Sequence, residues 1–216
     1  MDNYTSEQEQ IDQLKRWWNN NGRSLLAGLI IGLGGLGAYR YWDTTQESRA
    51  LEASVNYEHF LTMLSTKADD DAVNTGRTIV ESYPGSIYAR LTTLLLARVA
   101  VDKGDYPRAK EYLRSLSDEK DSGELANIAR ARLARVLLAE GAVDEAEVML
   151  AAIPAIDGVS RFTELRGDVL AARGDLPGAR SKYLEALVEA EKTGGSNELL
   201  QLKLDNLTVT PKDDGS

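Results

Sequence analysis

Charged and apolar positions divide the chain into three regimes. Between Arg23 and Arg40 the stretch Ser24 to Tyr39, SLLAGLIIGLGGLGAY, carries no charge over sixteen residues. At about 1.5 Å rise per residue this predicts roughly 24 Å of helix, a little under the ~30 Å hydrocarbon core of a bilayer. Before it, Met1 to Gln10 is polar without apolar period and is expected to be disordered or weakly helical. Ile11, Leu14, Trp17 and Trp18 then fall at helical spacing, and Asn19-Asn20-Asn21-Gly22 reads as a break. After the uncharged run, Leu51, Val55, Phe60, Leu61 and Leu64 recur with no Gly or Pro from Thr44 to Leu64, which predicts a long helix leading into the rest of the chain.

From Ala68 onward the pattern repeats. Ala72, Ala109, Ala146 and Ala179 are separated by 37, 37 and 33 residues, and three of them follow a turn: Gly104-Asp105-Tyr106-Pro107, Gly141-Ala142-Val143-Asp144 and Gly174-Asp175-Leu176-Pro177. Each turn joins two helical runs. The glycine suits the left-handed end of the first helix, the proline suits the first turn of the second, and the alanine marks a crossing too close for a larger side chain. The pattern resembles the tetratricopeptide repeat, most clearly in Leu165 to Leu187, where Gly167, Leu170, Gly174, Ala179, Tyr183 and Ala186 take that family's small and large packing positions. The spacing of 37 implies longer helices or turns in the middle repeats. Asn197 to Leu207, with five leucines, is expected to be the terminal capping helix that such stacks need, with residues 208–216 a flexible tail.

The flanks decide the reading of the uncharged run. All three Trp lie there, at 17, 18 and 42, with Tyr41 beside the last, where an interfacial aromatic belt would sit, and Arg23 and Arg40 can snorkel outward. The expected organisation is a cytoplasmic leader at 1–22, a transmembrane anchor at 23–42 and a repeat domain at 43–207. Lys15, Arg16 and Arg23 outnumber Arg40 and Arg49, so the positive-inside rule favours a cytoplasmic N-terminus and a periplasmic body in a Gram-negative cell. Gly32, Gly34 and Gly37 satisfy GxGxxG, but no strand precedes them and no βαβ alternation follows, so they read as membrane-helix glycines. Ser24, Gly28 and Gly32 are four apart and Gly35 continues their face, a small-residue stripe along which another membrane helix can pack.

Charge and chemistry narrow the function. Residues 1–42 balance four basic against four acidic side chains, so the whole net charge of −9 falls on residues 43–216. An acidic body argues against nucleic acid as a partner. With one histidine, His59, and no cysteine, no metal cluster, histidine relay or Cys-His pair can be assembled, and no cofactor is expected. Asp69-Asp70-Asp71 lacks the spacing of a calcium loop and reads as a helix N-terminus. The absence of cysteine is compatible with an oxidising compartment.

The repeat resemblance implies a concave groove lined by the first helix of each pair: Leu91, Leu94, Arg98 and Val101, then Ile128, Ala131, Arg135 and Leu138, then Arg161, Glu164 and Asp168. Arg98 and Arg135 are 37 residues apart and equivalent, and guanidinium groups among apolar residues suit an acidic or extended peptide.

Read together, Lys15 to Trp42 (KRWWNNNGRSLLAGLIIGLGGLGAYRYW), the short repeat domain and the Leu-rich LLQLKLDNLTV resemble the YfgM family of bacterial inner-membrane proteins. That resemblance implies a non-enzymatic ancillary subunit of the SecYEG translocon, anchored with its N-terminus inside. Its periplasmic repeats would associate with the chaperone PpiD and receive exported polypeptides. The competing expectation is a scaffold for an envelope-assembly or cell-division complex. The fold expected throughout is all-α, a single N-terminal transmembrane helix followed by a tetratricopeptide-like helical-hairpin solenoid.

Overall fold

The computed structural model describes residues 3–66, 69–119, 122–154, 160–195 and 197–208. The tail expected at 208–216 lies outside them from residue 209 onward. The described residues form helices joined by turns. They fall into two compact units, Met1–Glu52 and Ala53–Ser216.

The first unit is occupied by most of α1, a single helix running Asn3–Ser65. Of the two alternatives for the leader it is the helical one that is seen, from Asn3, and one expectation is corrected: the helix does not break at Asn19 to Gly22. The Asn21 side-chain amide donates to the carbonyl of Trp17 at 3.2 Å, which turns a potential breaker into support for its own turn. Gly22 is buried beneath the Trp18 ring, whose atoms lie 3.2 Å from where a Cβ would stand, so the ring covers the backbone that glycine leaves bare. Further along, Leu26, Leu29, Ile30, Ile31, Leu33 and Leu36 are all exposed. Among the described residues no helix is long and apolar enough to cross a membrane.

The second unit begins with the last turns of α1 and continues through α2 (Asp69–Ser82), α3 (Ile87–Asp102), α4 (Tyr106–Asp118), α5 (Glu124–Ala139), α6 (Val143–Ala151), α7 (Ser160–Ala172), α8 (Leu176–Thr193) and α9 (Glu198–Thr208). Consecutive helices pack as hairpins, and the first helices of neighbouring hairpins also touch, α3 to α5 and α5 to α7. All four recurring alanines, Ala72, Ala109, Ala146 and Ala179, are fully buried. The 37-residue spacings come from longer helices than the 33-residue one: α3 and α5 are 16 residues each against 13 in α7, and α4 is 13 against 9 in α6.

The three hairpin turns share one hydrogen-bond pattern. Gly104, Gly141 and Gly174 have φ of 74°, 79° and 84°, the left-handed region that a side chain disfavours. In the first turn the N–H of Gly104 donates to Val101 and that of Asp105 to Ala100. Gly141 and Ala142 donate likewise to Leu138 and Leu137, and Gly174 and Asp175 to Ala171 and Leu170. This pair of hydrogen bonds satisfies carbonyls that a helix end leaves open. Asp105 and Asp175 also accept from the N–H groups of Arg108 and Gly178, capping the following helices; Ala142 has no side chain to do so.

Between the turns, side chains from successive helices interdigitate in three clusters. Phe60, Ala72, Ile79 and Leu96 fill the first; a central one runs from Leu94 to Val169; Ala179, Tyr183, Ala186, Ala190 and Leu200 form the last. Small residues permit the tightest approaches. A Cβ on Gly76 would meet Leu96 at 2.9 Å, and one on Gly167 would run into the Tyr183 ring.

Candidate functional site

The arginines of the first helices sort into two groups. Arg130 Nη2 donates to the carbonyl of Ser117 at 2.7 Å and Arg166 Nη2 to that of Ile153 at 3.3 Å, so both serve the ends of preceding helices. Arg90 is tied to Glu119 at 2.9 Å. Arg98, Arg132, Arg135 and Arg161 turn elsewhere.

Arg98, Arg132 and Arg135 line one cavity of about 340 Å³ between α3 and α5, with Ala97, Val101 and Val136 around it and Leu113 of α4 beneath. No carboxylate is among these lining residues. Arg98 is exposed and forms an ion pair with Asp102 one turn on, at 2.9 Å. Arg132 crosses from α5 toward α3, where its Nη1 donates to the carbonyl of Leu94 at 3.1 Å. Burial, and then the positive charges of Arg135, Arg98 and Arg161, push the Arg132 guanidinium below its ordinary pKa. Arg161, on α7, lies over the ring of Phe162 with 5.4 Å between guanidinium carbon and centroid.

The other groove positions fare differently. Leu94 and Ala131, expected to face a partner, are corrected to core residues at 5% and 4% exposure. Each lies one turn before its arginine, and four residues turn a helix by about 40° past a full revolution, enough in a tight α3 to α5 crossing to tuck the shorter side chain under the neighbour. Val101, Ile128 and Leu138 are half-buried against the same core. Asp168 is engaged within the fold: it accepts from the Tyr183 hydroxyl at 2.8 Å and pairs with Lys203 of α9 at 2.6 Å. Lys203 also reaches Glu164 at 2.6 Å. Burial, followed by the bond to Asp168 and the charges of Asp168 and Glu164, pushes the Tyr183 hydroxyl well above its ordinary pKa.

Arg132 has no equivalent in the preceding repeat, where position 95 is a leucine, so a search for recurring residues passes over it. The signal that finds it is the i, i+3 spacing of Arg132 and Arg135, which puts both on one face of α5. On α1, Gly28, Gly32 and Gly35 have nothing within 4 Å of a built Cβ, while the side chain of Ser24 lies outside the described residues. His59 is exposed, and among the described residues no group of His, Cys, Asp or Glu could hold a metal ion.

A sequence profile described as a tetratricopeptide repeat-like domain matches residues 15–209. The chain is 32% identical over 210 residues to the ancillary SecYEG translocon subunit of Escherichia coli (strain K12), covering 97% of this chain and all of that one. The chain belongs to the family of ancillary SecYEG translocon subunits. Members of this family in Haemophilus influenzae and Neisseria gonorrhoeae are 29% and 31% identical, each over 94% of this chain and at least 98% of their own. The family match begins at Lys15, so it takes in the uncharged run of α1 together with every repeat.

Proposed function

We propose that this chain is a non-enzymatic, membrane-anchored adaptor of the SecYEG translocon, located in a bacterial inner membrane. The observation that carries the reading is the end-to-end similarity to ancillary SecYEG translocon subunits, which runs through the N-terminal helix as well as the repeats. Residues 23–42 are its single span, with the N-terminus in the cytoplasm and the repeats in the periplasm. Their uncharged sixteen residues are short of the ~20 of an average span, a deficit that Arg23 and Arg40 offset by snorkelling and the bilayer by thinning. Gly28, Gly32 and Gly35, open on the helix surface, are where the span packs against membrane helices of the translocon. The groove at α3 and α5 holds an exported polypeptide or the chaperone PpiD.

The test is purification of a C-terminally tagged chain from native membranes in mild detergent, with co-purifying proteins identified by mass spectrometry. SecY, SecE and SecG are expected at stoichiometric levels, with PpiD enriched. A tagged chain that sits in the membrane fraction yet brings down none of the three translocon subunits would sink this reading.

A further inference from the structure

The arginine cavity between α3 and α5 is lined by charge of one sign, unlike the cavity between α2, α3 and α4 and the one between α6, α7 and α8, which carry both. The cavity of about 330 Å³ between α2, α3 and α4 also holds three cations, but two of them have partners there: Lys103 pairs with Asp70 and Arg77 donates to the Tyr112 hydroxyl. Around the arginine cavity, Asp102 is the one carboxylate within ion-pair reach among the described residues, and it serves Arg98 alone. Three guanidiniums thus converge in a chain whose net charge is −9, with a fourth on α7 close enough to act on Arg132.

Their setting defines what fits between them. Ala97, Val101, Leu113 and Val136 give the cavity an apolar lining, and about 340 Å³ is at the small end of ligand pockets, roughly 300–1,000 Å³, room for one or two side chains. Arg132 is held in place by its bond to the Leu94 carbonyl, so its remaining donors are already oriented and lose little freedom on binding. A bound carboxylate would also relieve the repulsion among the arginines, while the fork of each guanidinium matches a carboxylate bidentately. The geometry points to a specific ligand class: an acidic-aliphatic peptide segment, seated with an aliphatic side chain over Val101 and Val136 and flanking carboxylates on Arg132, Arg135 and Arg98. Arg132 is the central contact. Four arginines spread over three helices of an acidic chain are too few for a nucleic acid footprint, which needs a run of phosphate contacts.

This inference rests on the reading of the groove as a partner site, and its test needs no translocon, so each can fail without the other. The full-length chain in dodecyl maltoside is titrated into a fluorescein-labelled peptide containing Glu-Leu-Asp-Val-Glu between glycines, with Gln-Leu-Asn-Val-Gln as the amide counterpart, and anisotropy is followed. The acidic peptide is expected to bind at least about tenfold more tightly, and to weaken as salt shortens the screening length. Arg132→Gln and the exposed-site double variant Arg98→Glu/Arg135→Glu should each lower its affinity by roughly tenfold or more, while Arg108→Gln in the neighbouring cavity leaves it unchanged. The double variant alters exposed side chains, so its thermal melting should match the parent and separate lost binding from lost fold. Equal affinity for both peptides, or undiminished binding in the double variant, overturns the inference. So does arginine-dependent binding of dihexanoylphosphatidylglycerol with no binding of the acidic peptide, which makes the site a headgroup pocket.

Discussion

Glu119 shows how a single side chain can fasten the open end of one hairpin. It follows α4 and accepts from Arg90 of α3 at 2.9 Å and from the Ser122 hydroxyl at 2.7 Å. Burial raises its pKa, but the bonds from Arg90 and Ser122 and the Arg90 charge outweigh burial, leaving it below its ordinary value of 4.5. A carboxyl that is a stronger acid in the folded chain contributes stability above its unfolded pKa and loses it as pH falls through the folded one. Acidifying from about pH 6 to below pH 4 should therefore lower the melting temperature of the parent more than that of Glu119→Gln. Parallel melting curves for the two proteins across that range would mean the pair contributes nothing. The alanines and turn glycines were legible in the sequence because a repeat marks the same constraint several times. Arg132 was not, since it stands in a single repeat opposite Leu95, and the pairing of Asp168 was not, because its partner, Lys203, lies 35 residues away with no spacing rule to connect them.

The helices differ in how much of each was readable. The 3.6-residue apolar period and the glycine turns locate α3 to α8, since each element must bury one stripe and end where its carbonyls are satisfied. The N-terminal helix resisted because its breakers are neutralised locally, Asn21 by bonding back to Trp17 and Gly22 by the ring of Trp18. The α9 helix was expected as a cap, yet what fastens it is ionic as well as apolar. Lys203 is three-quarters buried between Glu164 and Asp168 and lies 5.6 Å from the Tyr183 ring centroid. Lys203→Met keeps the apolar stem and removes the ammonium, leaving two carboxylates facing each other. The expected loss is roughly 1–2 kcal/mol, felt as faster amide exchange in α9 than in α3 to α5. Unchanged exchange in α9 would show that Leu200 and its apolar neighbours hold it alone.

Across the whole repeat unit, contacts run between sequence neighbours and between first helices of adjacent hairpins. Stability in such a stack is close to a sum of units and of the junctions between them. Ala179 is fully buried at the α7 to α8 crossing, and Ala179→Trp cannot be accommodated there without opening it. The expected outcome is loss of exchange protection in α7, α8 and α9 with α3 to α5 still protected; collapse of protection everywhere would show a single cooperative block instead. Charge was readable at this scale too: the −9 lies on the body, and against it the arginine cavity is a local reversal of sign that composition alone conceals.

A stack wired to its nearest neighbours confines damage. The arginine cavity is built from α3, α4 and α5, upstream of α7, where Lys203 fastens the C-terminal end. A chain nicked in α9, or frayed there by heat or by a passing protease, therefore keeps its recognition surface, and decay of the protein proceeds by shortening before it proceeds by silence.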